Sequence, residues 1–435
     1  MTSFRKRVRP LVGLAVFGLA VSACADDKPL NTFEPRGPGA QQELDLMWPI
    51  VWGIMGLVFL IVVVGGIGLA IKNRVKEEDF DPDDLPEQVH GWFAGEITWT
   101  ILPAIILAVV GVYSIATILD LETKNESSEL DVLVIGRQWW WEYRYDVDGD
   151  GFFVDADGDG QIWGVDGEGA DGPGGVSGDE DDLEWPLEYI LDPDDVSTAG
   201  ELVIPTGNQV DLYITSGDVI HSFWIPRLNG KRDAVPGRFT TWSVEADAAG
   251  KYTGWCTEFC GLSHARMRMS VIALDPADYT TWFENQTRPA AVPAEGTPEF
   301  AGRETFKNLC MSCHVIKDGE LEYNPTESGD PWATTIPLAS KGAPSLTHFA
   351  SRTSFAGAIY GQYRDIDPND DALDVSTYLN LASEYRWNEA ELRRWIKNAP
   401  SRKDANYENQ QGMLPFPQLG EEELDNLVAS LATLD

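Results

Sequence analysis

Two long uninterrupted apolar runs dominate the first part of the chain. One extends from about Trp48 to Ile71 and the other from about Glu96 to Leu119. Each is close to the ~20 residues needed to cross the hydrocarbon core of a bilayer, so residues 46–125 are expected to form a two-helix transmembrane hairpin. Pro103 in the second run is tolerable in a membrane helix, where neighbouring helices and local adjustments satisfy the freed backbone group. Lys72, Arg74 and Lys76 directly follow the first run and place the connecting loop on the cytoplasmic side, with both flanks outside. Further upstream, Arg5, Lys6, Arg7 and Arg9 precede a shorter apolar run from Leu11 to Val21, which has the form of a secretion signal. Residues 1–24 are thus assigned to a signal or lipoprotein peptide, and residues 25–45 to a polar linker.

Beyond Leu130 the pattern changes to short alternating or apolar runs separated by Gly, Pro and Asp. Asp131–Ile135, Leu202–Pro205, Val210–Ile214 and Met269–Ala273 predict strands of an all-β sandwich over residues 126–287. An acidic, glycine-rich insertion interrupts it at about residues 146–198, and no Lys or Arg occurs between Arg144 and Arg227. Within the insertion, Asp146, Asp148, Asp150 and Gly151, then Asp155, Asp157, Asp159 and Gly160, have the alternating-carboxylate spacing of Ca²⁺ loops. The stretch Asp146–Asp166 has two readings, a Ca²⁺ site or a solvated acidic loop. A Pro/Ala-rich linker at residues 288–298 leads to a last domain, residues 299–435. There Gly302–Leu309, Glu389–Asn398 and Glu421–Leu431 have helical spacing, the last with acidic residues in its first turn.

Composition narrows the function. Lys and Arg total 32 against 70 Asp and Glu, and the net charge of −38 argues against nucleic acid and for basic partners, high solubility or a salty habitat. Five Cys is an odd number, and their placement (Cys24 alone, Cys256 with Cys260, Cys310 with Cys313) is not that of a disulfide framework. Val21-Ser22-Ala23-Cys24 resembles a bacterial lipoprotein processing box, in which Cys24 would be lipidated; the other reading is an ordinary cleavage site.

Cys310-Met311-Ser312-Cys313-His314 is the C-x-x-C-H motif of covalent haem attachment, in which two thiols add to the haem vinyl groups and the His binds iron. Met413, in Gly412-Met413-Leu414-Pro415, is the first choice of sixth ligand, with His348 as the competitor. The region resembles class I cytochromes c, which implies an all-α cytochrome c domain. In that family a Met before a Pro closes the haem crevice, and Pro344 matches the Pro that packs beside the iron-binding His.

A second group comprises Cys256, Glu258, Cys260, His264 and Met267, with His221 upstream in His221-Ser222-Phe223-Trp224-Ile225-Pro226. Thiolates, imidazoles and a thioether are a soft set suited to copper. Two Cys four apart on one loop can both bridge a pair of metals, with His221 and His264 each capping one. A disulfide between Cys256 and Cys260 would leave both histidines unexplained. The segment resembles the binuclear CuA loop of cytochrome c oxidase subunit II, and Lys231-Arg232-Asp233-Ala234-Val235-Pro236-Gly237-Arg238 continues the match. The resemblance covers most of residues 46–285 and implies a cupredoxin-like fold for the sandwich. It further implies that Cys256 and Cys260 bridge the coppers, and that His221, His264, Met267 and the Glu258 carbonyl complete the site. The Glu258 side chain would reach a Mg²⁺ shared with subunit I. By the same resemblance Trp139, in Gln138-Trp139-Trp140-Trp141, matches the electron-entry aromatic, and Glu96 the carboxylate at the mouth of a proton channel.

The expectation is an electron relay. A donor cytochrome or cytochrome bc complex reduces the chain's haem, CuA follows, and subunit I, with the other oxidase subunits around it, reduces oxygen. The chain would then be a multi-pass protein of a bacterial cell membrane, anchored in lipid, with its redox domains on the extracytoplasmic side. Rival readings are a copper-delivery or thiol-redox protein, and the electron-entry subunit of a nitric oxide or nitrous oxide reductase.

Overall fold

The structure, a computed structural model, describes residues 37–74, 91–122, 130–146, 153–155, 162–163, 189–191, 196–318, 343–369, 371, 373–405 and 412–435. Cys24, the signal segment and the expected Ca²⁺ loops, apart from Asp146 and Asp155, lie outside these residues. The chain divides into two units, one of which is Pro38–Thr123 and is described by itself. Its helices α1 (Pro38–Lys72) and α2 (Phe93–Glu122) contain apolar spans at Met47–Lys72 and Phe93–Leu119, each long enough to cross a membrane. Their large side chains, Phe59, Val62, Leu107 and Val109 among them, are exposed, as suits a surface meant for lipid. Helix α1 starts ahead of the expected boundary because its run of Ala, Gln, Glu and Leu before Trp48 also favours helix.

The other unit holds two five-stranded sheets. The first is built from β1 (Asp131–Arg137), β2 (Trp140–Tyr145), β6 (Val196–Ala199), β8 (Val210–Ser216) and β11 (Thr240–Val244), in the order β11-β8-β1-β2-β6. The second takes β7 (Glu201–Pro205), β9 (His221–Trp224), β10 (Lys231–Ala234), β12 (Gly250–Cys256) and β13 (Arg268–Leu274), in the order β10-β9-β12-β13-β7. Strand β1 runs parallel to β8 and antiparallel to β2, so the sheet is mixed. Strands β7 and β8 are buried along their whole length and β1 and β13 at all but their first residue, which explains why they read as apolar runs.

Side-chain contacts lock the sheets face to face. Trp141 of β2 meets Phe223 of β9 edge-on at 5.3 Å. The Tyr145 hydroxyl takes the Val203 N–H at 2.7 Å from the opposite sheet. The expected insertion ends earlier than residue 198, because Val196–Ala199 pairs with β2 and is a strand of the sandwich proper. Between β2 and β6, the short strands β3 (Phe153–Asp155), β4 (Ile162–Trp163) and β5 (Tyr189–Leu191) form a separate sheet in the order β4-β3-β5.

Helix α3 (Pro276–Gln286) closes the sandwich, with Trp282 edge-on to Tyr145 at 5.4 Å. A helical C-terminal region follows: α4 (Pro298–Leu309), α5 (Leu381–Glu384), α6 (Glu389–Asn398) and α7 (Glu421–Leu431), with one two-residue ladder between Ser354–Phe355 and Tyr360–Gly361. Phe306, Leu424, Leu427 and Leu431 share its core. The expected linker is anchored, since the buried Ala290 donates its N–H to the Lys317 carbonyl at 2.7 Å. Nor does this region hang free: Tyr363, Ile366, Tyr378 and Leu381 belong to the apolar core of the sandwich.

Candidate metal centre and cofactor cavity

Cys256 ends β12 and Met267 precedes β13, and the Cys256 N–H donates to the Met267 carbonyl at 3.1 Å, closing the intervening loop. Adjacent antiparallel strands thereby bring both ends of the loop together, and the Thr257 N–H reaches the Ser222 carbonyl at 3.0 Å, drawing in the start of β9 with His221. The sulfurs of Cys256 and Cys260 stand 3.7 Å apart. A disulfide needs about 2.05 Å, so both thiols are free to bind metal. Cys256 Sγ lies 3.9 Å from His221 Nδ1 and 3.3 Å from the Glu258 carbonyl. Cys260 Sγ lies 3.5 Å from His264 Nδ1 and 3.8 Å from Met267 Sδ. The donor atoms of His221, Cys256 and Cys260 fall within 4.8 Å of one another, close enough for a shared metal. His221 is 0% exposed, and Cys256, Cys260 and Met267 are also buried, whereas Glu258 and Phe259 on the loop's crest are open.

The loop's shape follows from small residues at close approaches. Gly136 of β1 lies against the His221 ring, where a Cβ would come 2.7 Å from Cδ2. Gly261 has φ +112°, a conformation that side chains other than glycine rarely adopt.

The thiols are electrostatically unequal. Hydrogen bonding with Cys260 is the main reason the Cys256 thiol is pushed down to about 4; burial opposes this and His221 assists it. The same bond, together with burial, raises Cys260 far above its usual range. The pair thus favours loss of a proton from one thiol, and thiolate is the metal-binding form.

Asp218, missed in the sequence, organises the site from behind. Its carboxylate accepts from His221 Nε2 at 2.7 Å, leaving Nδ1 for metal, and from the Gln138 N–H at 2.6 Å. The following residue, Trp139, is 3% exposed and donates its indole N–H to the Cys260 carbonyl at 2.9 Å. Trp141 lies in the core beneath His221, its ring 5.8 Å away, and Trp140 is buried.

A cavity of about 350 Å³ lies between the sandwich and the C-terminal region. Cys310, Cys313, His314 and Met413 line it, and so does Trp139. His314 Nδ1 engages the Pro344 carbonyl at 2.8 Å, which assigns the proton to that nitrogen and leaves Nε2 as a lone-pair donor. Burial lowers the affinity of His314 for a proton, keeping it in the neutral, ligating form. His348 does not line the cavity: Nδ1 is 3.0 Å from the Asp435 carbonyl and Nε2 is 3.0 Å from the Arg288 carbonyl, so both nitrogens are engaged. The donors and an apolar lining of Phe306, Phe349, Trp395 and Leu427 fit a haem held by the Cys pair. In the separate helical unit, Glu96 sits in the first turn of α2 and accepts the Trp92 N–H at 3.2 Å.

Comparison with known proteins agrees with the copper loop. The family description "Cytochrome C oxidase subunit II, periplasmic domain" matches residues 190–274. Cytochrome c oxidase subunit 2 of Alkalihalophilus pseudofirmus is 27% identical over 435 residues, 98% of this chain and 96% of that one. Probable cytochrome c oxidase subunit 2 of Rickettsia felis is 30% identical over 64% of this chain and 80% of that one. The crystal structure of the periplasmic domain of subunit II of a Bradyrhizobium japonicum cytochrome oxidase is 24% identical, with a TM-score of 0.25. It covers 37% of this chain and 94% of that one. The chain belongs to the family of cytochrome c oxidase subunit II, the copper-bearing electron-transfer subunit of haem-copper oxidases.

Proposed function

We propose that this chain is the electron-entry subunit of a proton-pumping oxidase, relaying electrons from a donor cytochrome or cytochrome bc complex, by way of its own c haem and CuA, to subunit I. The observation that carries this reading is the shared cavity: Cys310, Cys313, His314 and Met413 line the same space as Trp139, whose indole is bonded to the Cys260 carbonyl. When bound, the haem would supply a one-electron iron centre and the copper pair a second.

The chain's residues divide the remaining work. Cys310 and Cys313 would hold the haem covalently, His314 Nε2 and the Met413 thioether would bind its iron, and the apolar lining excludes water. His221, Cys256, Cys260, His264, Met267 and the Glu258 carbonyl would hold copper, and the donor atoms of His221, Cys256 and Cys260 already lie within 4.8 Å of one another. Trp139 is the electron-entry residue. The exposed Glu258 carboxylate is free to reach a Mg²⁺ at the contact with subunit I, where Phe259 (76% exposed) and Leu262 offer an apolar footing. Glu96 serves a proton channel into subunit I. In the same reading Cys24 carries a lipid, and the membrane is a bacterial cell membrane with the redox regions outside.

The test compares wild-type complex with Cys256→Ser for metal content, haem content and visible and near-infrared spectra. The expected wild type contains a covalent c haem and about two coppers with a mixed-valence near-infrared band. The variant loses the band and keeps the haem. A copper-replete, oxidised wild type without the band would overturn the copper assignment, and one without covalent haem would overturn the relay.

A further inference from the structure

The segment after α6 crosses the seam beside the copper loop and places a buried lysine there. Lys403 Nζ donates to the Trp139 carbonyl, on the sandwich, at 2.5 Å and to the Ala356 carbonyl, on the C-terminal region, at 2.8 Å. Its neighbours are fastened to the copper loop itself. Ser263 Oγ donates to the Asp404 carbonyl at 2.8 Å, and the Arg266 guanidinium donates to the Arg402 carbonyl. The Arg268 N–H meets the Gly357 carbonyl at 3.1 Å, one residue along from Ala356. Lys403 also lines the cofactor cavity.

A buried ammonium is costly, and burial pushes that of Lys403 down to about 7. Two backbone carbonyls from different regions are its hydrogen-bond partners, and one belongs to the residue whose indole is bonded to the Cys260 carbonyl.

We propose that Lys403 is a positioning residue for electron entry, pinning the backbone of Trp139 to the C-terminal region so that the indole is held between the cofactor cavity and the Cys260 carbonyl. The C-terminal region then works as a fixed bridge instead of a swinging tether. Electron transfer weakens steeply with separation and favours bonded paths over gaps, so a small slip of the Gln138–Trp139 turn slows it without altering either centre. This inference deepens the relay reading and rests on it.

The test uses the purified oxidase complex with Lys403→Met and, as control, Lys251→Met. Lys251 is another buried lysine crossing the seam, bonded to the Asp367 carbonyl at 3.1 Å and remote in sequence from the Trp139 turn. Three quantities are read: the single-turnover haem-to-copper rate, the midpoint potentials of both centres, and amide hydrogen exchange of residues 138–140. Lys403→Met is expected to slow transfer about tenfold or more at unchanged potentials and to speed exchange in that turn. Lys251→Met should change neither, and Lys403→Gln, which keeps a donor on a shorter arm, should fall between Lys403→Met and wild type. A wild-type rate and exchange pattern in Lys403→Met, or equal slowing by Lys251→Met, would overturn the pin. Absence of covalent haem from the wild type would remove the relay instead, and the exchange measurement would still test the pin.

Discussion

His221 is gripped from both sides, by Cys256 on the metal face and by the Asp218 carboxylate behind, and that second grip fixes which nitrogen faces the copper position. Asp218→Asn would exchange part of an acceptor for a donor, and copper retention is expected to weaken about tenfold, measured by competition with a chelator. Glu142 makes a separate case. Burial pushes its carboxyl up, but the Arg137 and Arg144 guanidiniums together more than reverse this and hold it below its ordinary 4.5. Its stabilising contribution is therefore complete above pH 4.5 and is lost as pH falls through the lower folded value. Glu142→Gln should cost about 3 kcal/mol at neutral pH, read as a lower Tm, and the gap from wild type should narrow in acid. The candidate donors were legible as residue types at fixed spacing. Asp218 was not, because a lone Asp before a strand carries no signal until the Gln138 turn and the His221 ring are seen to share it.

Elements follow local rules more closely than sites do. Strands β1, β7, β8 and β13 and helices α6 and α7 lie within a residue or two of the apolar runs that predict them, since burial on both faces or on one helical stripe writes itself into the order of residues. Strand β6 was hidden inside the acidic insertion, because Val196–Ala199 is short and mostly small or polar and is made a strand by pairing with β2. Helices α4 and α7 pack with Phe306, Leu427 and Leu431 in one core. Leu427→Ala would open a cavity beneath the cofactor space and should destabilise the C-terminal region by about 3 kcal/mol, seen in thermal unfolding. The mixed-valence copper band should survive, because the loop between β12 and β13 depends on other contacts.

At the scale of the whole molecule, the sandwich and the C-terminal region form one body among the described residues. Glu201 of β7 is buried and accepts the Thr353 N–H at 2.9 Å, the Ser354 hydroxyl at 2.8 Å and the Tyr378 hydroxyl at 3.0 Å. Thr253 N–H adds a bond to Asp371 at 2.9 Å. Glu201→Ala would strand several buried donors at once and should weaken the seam by about 2 kcal/mol or more. The measurement is limited proteolysis of residues 352–380, expected to accelerate while the helical hairpin is unaffected. The Pro/Ala-rich composition of residues 288–298 suggested a linker, and composition could not reveal that Ala290 is buried and bonded to the Lys317 carbonyl.

The sequence by itself determined the membrane spans, most of the strand and helix order, the soft donor set and the C-x-x-C-H motif, because each depends on residue type at short spacing. Tertiary structure decided the rest: the burial of Trp139, the engagement of both His348 nitrogens away from the cavity, and the placing of Lys403 at the seam. These are contacts between residues far apart in the chain, selected by how two packed regions fit, and no local pattern encodes that fit.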